Sequence, residues 1–206
     1  MLDFITLPLA NFVINAVETF SYAGIFVIML LQSACVPIPS EIVLPFAGFM
    51  VGQAKFNFLP TLIASVLGCL TGGSLIFLLA DKKGEKFIRR LVKKYGKYLL
   101  IKEKELDEAE VRFEKYGEII VFVGRMLPIV RTFLALPAGL SHMNYKKFLL
   151  FSFLGDTLWS ALLIYIGSVM GKNWQQIGEI FHKFDLVILL TGILAVGLYI
   201  RHKLKK

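Results

Sequence analysis

The strongly apolar stretches in two regions of the chain are interrupted by prolines. Residues 25–34 and 42–51 are each about half as long as the ~20 residues that a spanning helix needs. The apolar run 119–140 is interrupted by Pro128. Proline removes a backbone hydrogen bond, and non-helical backbone is tolerated at membrane depth only where protein or water covers it. The pattern predicts two re-entrant helical hairpins.

The first predicted hairpin turns at a pair of prolines. Pro37 and Pro39 end the helix that precedes them. Ser40 is expected to cap the next helix, and Glu41 is expected in its first turn, near the tip of the hairpin. An alternative stays open, in which residues 10–34 span the membrane and Glu41 lies among the lipid headgroups.

Four other segments have the periodicity of membrane helices. Residues 59–80 are apolar enough for a full span, and residues 148–170 reach about 34 Å as a helix, which is also enough. A last transmembrane helix is expected at about 184–200. Residues 2–20 place apolar positions at helical spacing around one polar face, which is typical of a helix at the interface.

The charges are concentrated beside these apolar runs. Twelve of the 23 Lys and Arg residues lie within 82–117, and four more lie within 201–206, whereas none precedes Lys55. Such clusters mark the cytoplasmic side and attract anionic lipid headgroups. Residues 82–117 also repeat apolar positions at helical spacing, which predicts two amphipathic helices along that interface, or a solvated helical pair covering the membrane domain. A nucleic-acid partner is not expected.

The composition of the 206-residue chain, 56% hydrophobic, indicates one all-α polytopic domain in the cell membrane. The N-terminus shows no basic region and no small-residue cleavage site, so a cleaved signal peptide is not expected. Cys35 and Cys69 lie in apolar runs and are interpreted as buried hydrophobes. None of the three histidines, His142, His182 and His202, lies in a charged apolar run, and the sequence shows no metal-ligand cluster. Neither an enzyme nor a cofactor is therefore predicted. A homo-oligomer stays open.

Arg125 and Arg131 are the only charges in the run 119–140. An arginine in hydrocarbon costs about 3 kcal/mol or more, which makes it a candidate for function. On an unbroken helix the two side chains would point about 240° apart, but a break at Pro128 lets both turn toward one cavity. The alternative is that both guanidiniums reach the headgroup layer.

The two halves of the chain also resemble each other, which predicts an inverted repeat of about 22–84 and 116–171. Each half reads as a hairpin followed by one crossing, so the halves face opposite ways, as in many secondary transporters. Chance similarity among apolar sequences is the competing explanation. The aligned positions are Pro37, Ala47 and Gly48 with Pro128, Ala138 and Gly139, and Ser65, Leu67, Gly68, Leu75 and Gly84 with Ser152, Leu154, Gly155, Leu162 and Gly171.

The motifs at these positions resemble the DedA family of bacterial membrane proteins, which share a domain with eukaryotic lipid scramblases. The resemblance rests on Val-Pro-Ile-Pro-Ser-Glu at 36–41, Gly-Arg-Met-Leu-Pro-Ile-Val-Arg at 124–131, Ala-Gly-Leu-Ser-His-Met at 138–143, Gly155 and Trp159. It implies opposed re-entrant helices, transbilayer lipid movement in the bacterial cytoplasmic membrane, and recycling of undecaprenyl phosphate to the cytoplasmic face.

The resemblance and the charge pattern assign the same site. Arg125 and Arg131 are expected to bind the phosphate of a membrane lipid, with Glu41 as counter-ion or proton-coupling group. Some members carry a further acidic residue where this chain has Gln53, which argues against a two-carboxylate proton scheme. A less selective phospholipid scramblase, a proton-coupled small-solute transporter and a membrane scaffold are the alternatives. The expected supporting residues are Pro37, Pro39, Ser40, Pro128, Gly139, Asp156 and Trp159.

Overall fold

The computed structural model describes residues 3–36, 38–84 and 103–171, and those residues form helices joined by short turns. The all-α class is confirmed for them. The first predicted amphipathic helix and the last transmembrane helix at 184–200 lie outside the described residues. The helices are α1 (Asp3–Ser33), α2 (Ser40–Gly52), α3 (Phe58–Leu79), α4 (Glu103–Arg125), α5 (Pro128–Phe133), α6 (Ala135–Leu140) and α7 (Tyr145–Met170), and a short π-helical segment (Ala80–Gly84) continues α3.

Three helical segments within the described residues are long and apolar enough to cross a membrane. They are Asn15–Ser33, Phe58–Lys82 and Tyr145–Met170. The second and third confirm the helices predicted at 59–80 and 148–170. The first keeps open the alternative in which the N-terminal segment spans the membrane.

Helix α1 contains nearly all of both segments predicted near the N-terminus of the chain, the interfacial helix at 2–20 and the apolar run at 25–34. It is broken at Ser21, whose φ of 52° and ψ of −129° are not helical. The break lies between the segment with a polar face and the apolar segment. The two parts of α1 therefore take different directions, which a continuous helix would not allow.

Helix α4 runs from the second predicted amphipathic segment into the arginine region without a break. Gly117, at the end of the predicted interfacial segment, lies inside the helix against Phe113 and Met143. The charged residues from Glu103 onward and Arg125 thus lie on one continuous helix.

The helices of the two halves pack crosswise. Helix α1 packs on α3 and α4 packs on α7, whereas α2 packs on α7 and α6 packs on α3. Two aligned glycines allow the first kind of contact. A Cβ on Gly68 would lie 2.4 Å from the carbonyl oxygen of Phe26, and a Cβ on Gly155 would lie 3.0 Å from that of Phe122. The second kind of contact joins α2 and α6 to the long helix of the other half. The inverted repeat and the re-entrant hairpins stay predictions.

The first testable prediction concerns topology. We expect the segment 82–117 and the residues after Ile200 to be cytoplasmic, and the N-terminus to be outside. Single cysteines at Thr6 and Lys104, in a chain with Cys35 and Cys69 replaced by serine, should label from opposite sides with an impermeant maleimide. Labelling of both from one side would show that α1 spans the membrane.

Candidate functional site

Helices α4 and α5 are separated by a break at the residues that lie between the two arginines. Helix α4 ends at Arg125, Leu127 is extended with φ −101° and ψ 122°, and Pro128 is the first residue of α5. Proline is favoured there because its missing N–H would have had no partner. Arg131 follows one turn later, so the break predicted at Pro128 brings both side chains to one place.

Both guanidiniums contact one carboxylate, that of Asp156 on α7. Nη2 of Arg131 lies 3.2 Å from Oδ1, and Nη1 of Arg125 lies 3.6 Å from Oδ2. The exposed fraction is 1% for each arginine and 0% for Asp156. Screening by solvent is weak for such buried charges, so the three side chains form one electrostatic unit.

Arg125 is enclosed by three helices. Its Nη1 donates to Ser33 Oγ of α1 at 3.1 Å, and its guanidinium carbon lies 5.6 Å from the ring centroid of Phe148 on α7. A Cβ on Gly73 of α3 would lie 2.6 Å from Arg125 Nη2, and one on Gly155 would lie 2.7 Å from Arg125 Cβ. The space for this side chain therefore depends on two glycines.

Arg131 is held by α2 and α3. Its Nη1 donates to Ser40 Oγ at 3.4 Å, and its Nη2 lies 3.5 Å from Cys69 Sγ. Ser40 Oγ in turn donates to Glu41 Oε1 at 2.9 Å. Buried Glu41 thus reaches the arginine through the serine hydroxyl, and the first hairpin region does meet the second.

The expectation that Ser40 caps α2 is wrong. Pro39 occupies the N-cap position with extended backbone, and Ser40 is the first helical residue. Its hydroxyl is engaged by Glu41 and Arg131, so it is not free to turn back to the helix amides. Glu41 does lie in the first turn of α2, as expected.

Several donors of this site have no hydrogen-bond partner among the described residues. They are Nε and Nη2 of Arg125 and Nε of Arg131. An unsatisfied buried donor costs about 1–3 kcal/mol, more when it is charged. A phosphate offers several acceptor oxygens to such donors, and guanidiniums match its geometry.

The remaining predicted residues shape the surroundings. A Cβ on Gly139 would lie 2.4 Å from the carbonyl oxygen of Phe77, so glycine lets α6 approach α3. Trp159 is buried in the apolar cluster that α2 and α7 share. Pro37 lies outside the described residues.

Sequence reasoning missed a second link between the hairpin regions. Gln32 Nε2 donates to Thr132 Oγ1 at 3.2 Å, and Cys35 Sγ lies 3.5 Å from the carbonyl oxygen of Thr132. Thr132 stands 91 residues after Glu41, the offset that separates Pro37 from Pro128. That offset was the available signal, because aligned tips are expected to meet in an inverted repeat.

A second polar pair lies where the π-helical segment meets the end of α6. Nδ1 of His142 is 2.7 Å from Oδ1 of Asp81, and both side chains are partly exposed. Within residues 3–36, 38–84 and 103–171, no group of three or more His, Cys, Asp or Glu side chains could hold a metal ion. In the described part of the chain, Arg125, Arg131 and Asp156 therefore form the candidate functional site, because their charges are buried and several of their donors have no partner.

Comparison with known proteins identifies relatives along most of the chain. The VTT domain family matches residues 38–169. Undecaprenyl phosphate transporter A of Bacillus subtilis is 34% identical over 178 residues, 86% of each chain. The Staphylococcus aureus protein of that name is 29% identical over 180 residues, 87% of this chain and 89% of the relative.

Another relative has a name of a different class. A Lactococcus lactis protein called alkaline phosphatase-like protein is 28% identical over 186 residues, 89% of this chain and 87% of the relative. No solved structure matches the chain significantly.

Proposed function

This chain belongs to the VTT domain family, that of the DedA proteins, and is a multi-pass protein of the cytoplasmic membrane; we propose that it is a flippase for undecaprenyl phosphate. It would move this polyprenyl phosphate carrier across the membrane for reuse in cell-envelope synthesis. The observation that carries the proposal is the pair of buried guanidiniums, Arg125 and Arg131, with donors that have no partner in the described residues.

The chemistry of lipid translocation explains why such a site is needed. A phosphate headgroup must lose much of its water to enter the membrane interior, and this desolvation is very unfavourable for an ion without a partner. Two guanidiniums replace the lost water with charge-assisted hydrogen bonds. The polyprenyl tail needs no such help, because it stays in lipid.

The two carboxylates balance the arginines when no phosphate is bound. Arg125 and Arg131 carry two positive charges, and ionised Glu41 and Asp156 carry two negative ones. A neutral cluster is far easier to keep at membrane depth than an isolated charge. Phosphate binding then requires a carboxylate to withdraw or to take up a proton.

Two other functions have specific support. The arginines recognise phosphate and not a particular tail, which favours a less selective phospholipid scramblase. Buried carboxylates are also typical of proton routes, which favours a proton-coupled small-solute transporter. The name of the Lactococcus relative suggests phosphate chemistry of another kind, and hydrolysis of the phosphate is a further outcome to test.

Purified protein in liposomes separates these functions. The flippase should move undecaprenyl phosphate between leaflets and leave phosphatidylglycerol and undecaprenol behind. Equal movement of phosphatidylglycerol would indicate a scramblase, and proton or solute flux without lipid would indicate a transporter. Release of inorganic phosphate would indicate an enzyme, and no movement at all would leave the scaffold.

Glu41→Gln tests the part played by the carboxylate on α2. We expect this variant to hold phosphate more tightly and to release it more slowly, because a negative charge near Arg131 is removed while the shape is kept. Turnover should fall severalfold, with the pH profile unchanged. The measurement is the initial transport rate against pH for wild type and variant.

Two other results would revise that role. If the variant loses the pH dependence of transport, Glu41 carries a proton. If both rate and profile stay at wild-type values, Glu41 has no part in the mechanism.

A further inference from the structure

Among the described residues, the carboxylate closest to the two arginines is that of Asp156, and Glu41 reaches Arg131 through Ser40. We propose that Asp156 is the resident anion of the arginine site, which the lipid phosphate must displace in order to bind. This inference rests on the proposed function. It makes Asp156 the residue that sets the affinity for phosphate, by direct competition for the same N–H donors.

The geometry suits a carboxylate that bridges two cations. One oxygen of Asp156 faces Arg131 and the other faces Arg125, so a single side chain on α7 joins the end of α4 to α5. The three side chains are buried, so solvent screens the charges of the arginines only weakly. Two buried guanidiniums need an anion at every stage of the cycle.

The same contacts are weak enough to be exchanged. Charge-assisted N–H···O bonds are typically about 2.7–2.9 Å long. Asp156 accepts one longer bond from Arg131, at 3.2 Å. Its Oδ2 lies 3.6 Å from Nη1 of Arg125, beyond hydrogen-bond distance, and has no hydrogen bond in the described residues. A phosphate has more oxygens than a carboxylate and could engage the donors of Arg125 and Arg131 that Asp156 leaves without a partner. Exchange therefore replaces an incompletely bonded anion by a better bonded one.

The predicted repeat aligns Cys69 on α3 with Asp156 on α7, so Cys69 is a second position at which a carboxylate could face Arg131. Cys69 precedes Asp156 by 87 residues, the offset that aligns Gly68 with Gly155. Its Sγ lies 3.5 Å from Nη2 of Arg131, the atom that also faces Asp156. A carboxylate transplanted to α3 at this position would meet the same guanidinium from the other half of the chain.

Asp156→Asn is the direct test, with undecaprenyl phosphate as the probe and protein in nanodiscs. We expect the Kd for undecaprenyl phosphate to fall by about tenfold, because a competing charge is removed. We expect the maximum transport rate in liposomes to fall as well, since release is slower. Binding of undecaprenol, which has no phosphate, should not change.

Ser160→Ala is the matched control. Ser160 lies one turn from Asp156 on α7, is equally buried, and its hydroxyl has no partner among the described residues. Its affinity and rate should equal those of wild type. If Asp156 only supported the structure, its substitution would weaken the binding of undecaprenyl phosphate. Tighter binding by Asp156→Asn therefore distinguishes competition from support.

The double variant Asp156→Asn with Cys69→Asp returns one carboxylate to Arg131. We expect it to restore the wild-type Kd and most of the transport rate, even if the single variant fails to fold. The inference is overturned if the single variant is folded and binds phosphate no more tightly than wild type. It is also overturned if the double variant does not fold, or folds without recovering transport.

The failures of the two proposals are distinguishable. A wild-type protein that neither binds nor moves undecaprenyl phosphate removes the flippase function. Wild-type protein that does both, beside an Asp156→Asn variant of unchanged affinity, removes only the role of Asp156.

Discussion

Replacing Arg131 with lysine is expected to lower the transport of undecaprenyl phosphate by about 100-fold, equivalent to ~2.7 kcal/mol, while the protein stays in the membrane. The guanidinium contacts Ser40 on α2, Cys69 on α3 and Asp156 on α7. Lysine keeps the charge but has a single ammonium group in place of the planar guanidinium. It therefore cannot contact all three residues and also bind a phosphate through two parallel hydrogen bonds. The same loss is expected for Arg125→Lys.

The measurement is the initial rate in proteoliposomes at equal amounts of inserted protein. Lys147→Arg is the matched control, because this exposed residue at the start of α7 pairs with Glu118 and either cation can do so. It should transport at the wild-type rate. Wild-type rates in both lysine variants would mean that Arg125 and Arg131 act only as charges.

Gly73→Ala is expected to lower transport by about tenfold without a comparable loss of stability. The added Cβ would lie 2.6 Å from Arg125 Nη2 and 3.2 Å from Ser33 Oγ. The closest atom is the end of a flexible side chain, so the guanidinium moves and the backbone does not. Displacement weakens the charge-assisted bonds of Arg125, each of which contributes roughly 1.5–3 kcal/mol.

Two other variants of α3 separate this effect from general damage. Thr71→Ala changes an exposed residue whose hydroxyl bonds only within its own helix, and should be neutral. Gly68→Ala places its Cβ 2.4 Å from the backbone oxygen of Phe26, and should lower the melting temperature. A Gly73→Ala protein with full transport would show that the position of Arg125 does not matter.

The meeting of the two arginines could be predicted from the sequence because its causes are local. Two charges in an apolar run require a buried partner, and Pro128 requires a break in the helix between them. Both requirements depend on neighbours in the chain. The structure shows the break beside Pro128, and both side chains at the carboxylate of Asp156.

The direct contact of Asp156 with both arginines could not be predicted, because it depends on how distant helices pack. Glu41 is the counter-ion that the aligned hairpin tips predict, and it reaches Arg131 through Ser40. Asp156 was expected only in a supporting role, although it is an acid within an apolar run. Helix α7 meets α4 at Gly155, where a Cβ would lie 2.7 Å from Arg125 Cβ, and the sequence does not show that this glycine faces the arginine.

The continuity of α4 was also beyond the reach of pattern analysis. The charged segment ends near Gly117, and the change of polarity there is typical of a boundary between elements. In the structure Gly117 lies against Phe113 and Met143, where a Cβ would meet an aromatic ring at 2.9 Å. The glycine serves packing, so it does not end the helix.

The central claim is that Arg125 and Arg131 hold the phosphate of the lipid. Solid-state NMR can test it through ¹⁵N–³¹P dipolar contacts between guanidinium-labelled protein and undecaprenyl phosphate in lipid nanodiscs. We predict contacts to buried guanidinium nitrogens that disappear in the double variant Arg125→Lys with Arg131→Lys. Contacts that persist unchanged in that variant would place the phosphate elsewhere and contradict the account.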